Sequence, residues 1–374
     1  MQINNLRIKA CHSLNAASLS VSLMLAVVCC ASNSCSHTGE GKASAVKLIL
    51  DTDLGPDYDD VGAFALMYAL EEQGKVDVLA TISCNRDERV VPCIKILNAW
   101  YGHADMPTGA PEEGYSSVSE APSMTCWQED LHWPDSLCIN YGHFPGCAGA
   151  RAAGAETENA VKLYRKILSR QADRSVTICS IGFYSNLAAL LTSGPDGNSP
   201  LPGRELVARK VVRLVSMAGA FPGGEEFNLK LDLPAARLVC SEWPGDVIFS
   251  GFEIGERVWT GRRLIEEAAR YEGECSGNPV VDAYAGSLKY GELESGHNSW
   301  DGTAVLIAIC GADPYFELCR GRITFAEDST GSNGWQEDPQ GPHSYVRFKL
   351  SPDRVAAAID SITLSHSKFA YLKQ

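Results

Sequence analysis

Five carboxylates crowd into the ten residues Asp51-Thr52-Asp53-Leu54-Gly55-Pro56-Asp57-Tyr58-Asp59-Asp60. The apolar run Val46 to Leu50 stands immediately before them and reads as a short buried strand. Val61, Phe64, Ala65 and Tyr68 recur at helical spacing immediately after, so a helix starts near Asp60. The acids are therefore fixed between two ordered elements. Like charges at this density repel, and each carboxyl is driven toward its protonated form unless a cation holds it. Oxygen donors with no His or Cys close by in sequence favour a hard divalent ion, calcium more readily than zinc. Gly55 and Pro56 supply the turn that folds the acids together, and Asp59 and Asp60 lie where a helix N-terminus favours negative charge.

Strand and helix patterns then alternate. Val76 to Ser83 reads as a second strand and Val91 to Trp100 as a helix; Glu158 to Ser169 is a helix followed by the strand Val176 to Ile181. Val211 to Met217 and Val247 to Ser250 are later strands. Ser351-Pro352-Asp353 opens a last helix with a capping hydroxyl, Pro at the first position and an early acid, and Val355, Ile359 and Ile362 form its apolar face. This order predicts an α/β fold with a mostly parallel central sheet and helices on both faces. Ligands of such sheets sit beyond the carboxyl ends of the strands, where the acidic segment falls. Residues 45–374 show no internal repeat and are expected to form one domain.

Residues 1–35 differ from the rest. Arg7 and Lys9 are their only charges, Leu19 to Val28 is mostly apolar, and small polar residues follow. That is the order of a secretory signal peptide, and Ser36 to Ser44 reads as a linker. Cys29, Cys30 and Cys35 stand where a bacterial lipoprotein would be acylated, Cys35 fitting best, while a simple cleaved signal is the plainer alternative. The expected location is exported, periplasmic or lipid-anchored to a bacterial membrane, with membrane contact through that anchor alone. Ten cysteines from Cys84 to Cys319 permit disulfides in an exported chain. Cys126, Cys138 and Cys147 share one turn-rich stretch and are the first candidates for a bridge; Cys84, Cys179, Cys240 and Cys310 read as buried packing thiols. A formal charge of −14 argues against a nucleic-acid partner, which needs clustered Lys and Arg.

Two families share a strand ending in Asp-x-Asp. Haloacid-dehalogenase-like phosphatases want Thr or Val two residues beyond the second Asp, where this chain has Gly55, and their pattern leaves Asp57, Asp59 and Asp60 without a role. The string more closely resembles the N-terminal signature of nucleoside hydrolases, Asp-Thr-Asp-x-Gly followed by Asp-Asp and an Ala-rich helix, with two extra residues before the Asp pair. The resemblance continues in order: Val78 to Asn85, Met106 to Pro111, Ile181 to Ala188, Met217-Ala218-Gly219 with Glu226-Phe227-Asn228 and Asp232-x-Pro234-x-Ala236, and Trp300-Asp301.

The resemblance implies a nucleoside hydrolase-like (Rossmann-like) architecture and calcium-dependent hydrolysis of the N-glycosidic bond of ribonucleosides to base and ribose. It implies a calcium ion held by the side chains of Asp53, Asp60 and Asp301 and the backbone carbonyl of Ser185, with Asp53 also deprotonating the attacking water. Asp59, Asn85, Glu226 and Asn228 would hold the ribose, and a homodimer or homotetramer is expected. A transition state of oxocarbenium character suits an acidic surround. Trp300 stands where many members carry a proton-donating His; an indole stacks on a base instead, which favours purines. The loop Ala220 to Glu225 lacks the Asn that usually grips the 5′-hydroxyl. The aromatic-rich stretch Cys126 to Gly146 either closes over the base or forms a disulfide-tied surface insert, and its His132 and His143 are candidates for the missing acid. These departures keep two alternatives open: another N-glycoside or ribosylated metabolite as substrate, and a non-catalytic sugar-binding lipoprotein.

Overall fold

The computed structural model of the chain describes residues 44–112, 118–119, 121–123, 133–144, 157–327 and 330–373. The expected signal peptide, all of the linker but Ser44, and Cys126, Trp127, His132 and Cys147 lie outside them.

The strands are β1 Val46–Thr52, β2 Val76–Ser83, β3 Thr108–Ala110, β4 Glu158–Asn159, β5 Val176–Ser180, β6 Val211–Met217, β7 Gly223–Gly224, β8 Asp246–Ser250, β9 Trp259–Thr260, β10 His297–Asn298, β11 Phe316–Phe325, β12 Asn333–Glu337 and β13 His343–Phe348. Eleven of them make one sheet in the order β4-β3-β2-β1-β5-β6-β8-β13-β11-β12-β7, and β9 pairs with β10 apart from it. From β4 to β13 every neighbouring pair is parallel; β11, β12 and β7 then continue antiparallel. The chain winds outward from β1 through β2 and β3 to β4, then returns to place β5 on the other side of β1. The carboxyl end of β1 is thus the point where the strand order reverses, the crevice in which open α/β sheets bind ligands.

The helices that matter to the site are α1 Asp59–Glu72, α2 Val90–Trp100, α3 Trp133–Tyr141, α4 Ala160–Arg170, α5 Ser185–Thr192, α6 Gly203–Lys210, α7 Phe227–Leu231, α8 Leu233–Glu242, α9 Phe252–Gly255, α10 Arg262–Ala268, α11 Pro279–Tyr284, α12 Trp300–Cys310 and α13 Pro352–Thr363. Strand alternation divides β1 between two cores. Leu48 and Leu50 pack with α1, α2, α12 and α13, while Ile49 packs with α4, α5 and α8 on the other face. Because α1 and α12 are buried nearly all round, they read as continuous apolar sequence with little amphipathic pattern. Each fully buried Leu or Ile there contributes roughly 1.5–3 kcal/mol, which fixes the Asp-bearing first turns of both helices against the end of β1.

Several expectations shift at their edges. Glu158 and Asn159 form a short strand, and Asn159 caps α4 by accepting from Lys162 N at 3.0 Å. Ser351 precedes α13 with no side-chain capping bond, although Pro352 opens the helix. The stretch expected to be a loop contains α3, whose Trp133, Leu137, Cys138 and Tyr141 are buried in the core. Cys138 Sγ lies 3.8 Å from Cys93 Sγ on α2. Cys84, Cys179 and Cys240 are buried as expected, and Cys310 is half-buried. Among the described residues no helix is long and apolar enough to cross a membrane.

Candidate active site and metal centre

β1 itself carries one of the acids, Asp51. Asp51 continues the Ile49 face, where its carboxylate accepts from Tyr164 Oη at 2.7 Å and from Asn186 Nδ2 at 3.0 Å. Burial pushes it up to about 7 against the pull of those hydrogen bonds. Asp51 therefore anchors α4 and α5 to the sheet and takes no part in the pocket. Thr52 faces the opposite way, and its hydroxyl donates to Asp60 in a short hydrogen bond.

Past Thr52 the chain turns sharply. Leu54 has φ 43° and Gly55 has φ 136°, a backbone region that L side chains rarely adopt. The turn aims two backbone N–H groups at one carboxylate: Leu54 N donates to Asp60 Oδ1 at 3.1 Å and Gly55 N to Asp60 Oδ2 at 3.0 Å. Gly182 lets the next loop approach Asp53, since a Cβ there would lie 2.6 Å from Asp53 N. Asp59 and Asp60 occupy the first turn of α1, and Asp59 Oδ2 accepts from Asp301 N at 2.9 Å, which ties α1 to the start of α12.

Carboxylate oxygens of Asp59, Asp60 and Asp301 lie within 4.8 Å of one another, all three buried. Burial first, then the charge of neighbouring acids, raises Asp53, Asp59 and Asp301 well above the usual carboxylate range. Asp60 rises to about 7 through burial, opposed by the Thr52 hydrogen bond. Four buried acids that disfavour ionisation, offering only oxygen donors, fit a hard divalent cation. The tight trio differs by one residue from the set the resemblance implies, with Asp59 in place of Asp53; Asp53 lines the same cavity.

That cavity, about 220 Å³, is lined by the acids Asp53, Asp57, Asp59, Asp60 and Asp301, by the apolar side chains of Ile181, Met217, Phe227, Phe252 and Trp300, by the turn Gly55-Pro56, and by Glu226 and Asn228. Glu226 caps α7. Its carboxylate accepts from Asn228 N at 2.7 Å, Gly219 N at 2.9 Å and Leu229 N at 3.1 Å, and burial raises it. Asn228 Nδ2 donates to Met217 O at 3.0 Å. Trp300 donates its indole N–H to Phe252 O at 3.0 Å and stacks on the Phe252 ring, centroids 5.6 Å apart.

Seven of the nine residues singled out from sequence line the cavity: Asp53, Asp59, Asp60, Glu226, Asn228, Trp300 and Asp301. Asn85 and Ser185 do not line it. Asn85 donates Nδ2 to Asp53 O at 3.0 Å and accepts from Asp87 N, so it braces the backbone of Asp53. The buried Ser185 begins α5, and its hydroxyl donates to Asp232. His143 is away from the cavity, set edge-on against Phe144. Sequence reading missed Phe252, which lies on a four-residue helix with too little periodicity to signal itself, and Asn333, whose side chain bonds both Ala220 N and Ala220 O and shapes the loop before Glu226.

The chain matches the family described as inosine-uridine preferring nucleoside hydrolase over residues 48–354. It is 25% identical over 251 residues to the pyrimidine-specific ribonucleoside hydrolase RihA of Escherichia coli O127:H6 (strain E2348/69 / EPEC), covering 66% of this chain and 71% of that protein. Among solved structures it is similar to the plant nucleoside hydrolase PpNRh1, with TM-score 0.62 and 20% identity over 85% of this chain and 98% of that one. A purine-preferring ribonucleoside hydrolase from Gardnerella vaginalis is similar at TM-score 0.60 and 16% identity, over 85% and 98%. At those identities the two structures speak for the fold alone.

Proposed function

The chain belongs to the inosine-uridine preferring nucleoside hydrolase family, and from that premise we propose that it hydrolyses the N-glycosidic bond of ribonucleosides with calcium, purines favoured. The observation that carries this reading is the buried trio Asp59, Asp60 and Asp301 sharing one cavity with Asp53 and an aromatic wall of Trp300 and Phe252. In this reading a bound calcium ion would keep the carboxylates ionised and would supply a polarised water for the attack. Asp60 and Asp301 would hold the ion with Asp59 or Asp53; the Ser185 carbonyl, at the start of α5 outside the cavity lining, is the further donor that the family resemblance implies. Asp53 takes the proton as water attacks the anomeric carbon, and the acidic surround stabilises the oxocarbenium-like transition state. Asn85 positions Asp53. Glu226 and Asn228, held rigidly by the 217–229 backbone, orient the sugar.

The preference for purines rests on Trp300. Its N–H is engaged by Phe252 O, so its contribution is a π-face for the leaving base. Among its relatives one is named pyrimidine-specific and another purine-preferring, so the choice lies with the residues of this pocket. A second reading, another ribosylated N-glycoside as substrate, is favoured by the same indole and by the loop Ala220 to Glu225, which carries no Asn and whose backbone is held by Asn333. Export through residues 1–35, with Cys35 as the acylated residue, is part of the proposal. The test is base release from a panel of purine and pyrimidine ribonucleosides with calcium or with chelator. Calcium-dependent release, faster for purines, supports the reading; a folded, calcium-loaded protein that cleaves none of them overturns it.

A further inference from the structure

We propose that His297, Asp57 and Asp59 form a second divalent-cation site, adjoining the all-oxygen trio and suited to a transition-metal ion of the zinc class. In sequence no His stands near the acidic turn. The fold supplies one: His297, on β10, stacks on Tyr58 with ring centroids 4.1 Å apart. A ring nitrogen of His297 and carboxylate oxygens of Asp57 and Asp59 lie within 4.8 Å of one another.

The two ring nitrogens are not equivalent. Nδ1 lies 3.0 Å from Glu292 Oε2, and Glu292 in turn accepts from Tyr58 Oη at 2.7 Å. Nε2 is buried with no hydrogen-bond partner among the described residues, on a side chain only 9% exposed. With Nδ1 committed to Glu292, Nε2 is the nitrogen left for a cation shared with the two carboxylates. A buried polar atom left unsatisfied lowers stability, and a cation on its lone pair removes that cost. An imidazole that gives its far N–H to a carboxylate and turns its other nitrogen toward further ligands is the arrangement that metal-binding histidines adopt. Glu292 is then the positioning residue. One imidazole nitrogen with two carboxylates suits zinc, manganese or cobalt, whereas the Asp59, Asp60 and Asp301 set, all oxygen, suits calcium. Asp59 belongs to both sets, so the two sites share a wall. Which ions these donors hold does not depend on the substrate the chain cleaves.

The test titrates the calcium-saturated full chain with cobalt(II), reading its visible absorption, and counts bound metals by plasma mass spectrometry after desalting. The expected result is one cobalt equivalent taken up with calcium retained. Glu292→Gln weakens that uptake about 10- to 100-fold, and His297→Gln loses it while calcium stays bound. Should His297→Gln fail to fold, X-ray absorption of the zinc-loaded wild-type protein reads the same point through one nitrogen in the first shell. No uptake of cobalt or zinc by calcium-saturated protein, uptake unchanged in folded His297→Gln, or a zinc shell of oxygen alone would each overturn the proposal.

Discussion

The buried acids make the stability of the metal-free fold depend on pH in a direction opposite to that of most carboxylates. Asp60 keeps its proton in the metal-free fold up to about 7, against 3.8 for an unperturbed Asp. Between those values the folded state binds more protons than the unfolded chain, so metal-free stability falls as pH rises through that window, and the loss is complete above about pH 7. One proton costs about 1.4 kcal/mol per pH unit, so Asp60 alone contributes a loss on the order of 4 kcal/mol. Asp53, Asp59 and Asp301 move in the same direction. A cation that replaces the proton removes this loss, and calcium affinity should climb with pH until the site is fully ionised. At about 2 °C per kcal/mol for a chain this large, the gap in Tm between calcium and chelator should reach roughly 5–10 °C near pH 8. It should shrink toward zero near pH 5. The assay is thermal denaturation by circular dichroism at a series of pH values, with calcium or with chelator. A gap of equal size at pH 5 and pH 8 would refute the linkage, as would a chelated protein for which Asp60→Asn leaves the pH dependence unchanged.

Two further outcomes follow from individual residues. Gly55→Ala has room for its Cβ, the nearest atom being Trp133 Cζ2 at 3.9 Å, yet φ 136° strains any L side chain, so it should lower stability by about 1–3 kcal/mol in denaturant titration and loosen calcium by splaying the Leu54 and Gly55 N–H groups from Asp60; an unchanged midpoint contradicts the turn assignment. Trp300→Ala should lower kcat/KM for purine nucleosides roughly 5- to 100-fold, from a stacking contribution of about 1–3 kcal/mol per base, with a smaller loss for pyrimidines; equal losses on both would take the base off the indole.

The buried acidic cluster was legible in the sequence because its signals are local. Asp53, Asp59 and Asp60 sit between a strand and a helix that both announce themselves through apolar spacing, and Asp301 begins a helix of unbroken apolar residues. What escaped was non-local or weakly periodic. The division of Asp51 from Asp53 depends on the turn that follows Thr52, where Leu54 and Gly55 take positive φ, and no single-strand pattern carries that. The antiparallel end of the sheet, β11 to β13, has faces only partly buried, so its alternation is diluted by exposed charged residues. His297 reaches the acidic turn only through tertiary packing, which is why a calcium-only donor set looked sufficient from the turn alone.

In the proposed reaction, water attacks the anomeric carbon of a ribonucleoside in this pocket with Asp53 as its base. The most direct measurement is turnover of a purine ribonucleoside in oxygen-18 water by the calcium-loaded wild type and by Asp53→Asn, both checked for calcium binding. The account predicts free base and ribose labelled at the anomeric oxygen for the wild type, and a loss of at least about 100-fold in kcat for Asp53→Asn. Label-free ribose, or an Asp53→Asn variant as active as the wild type, would contradict it.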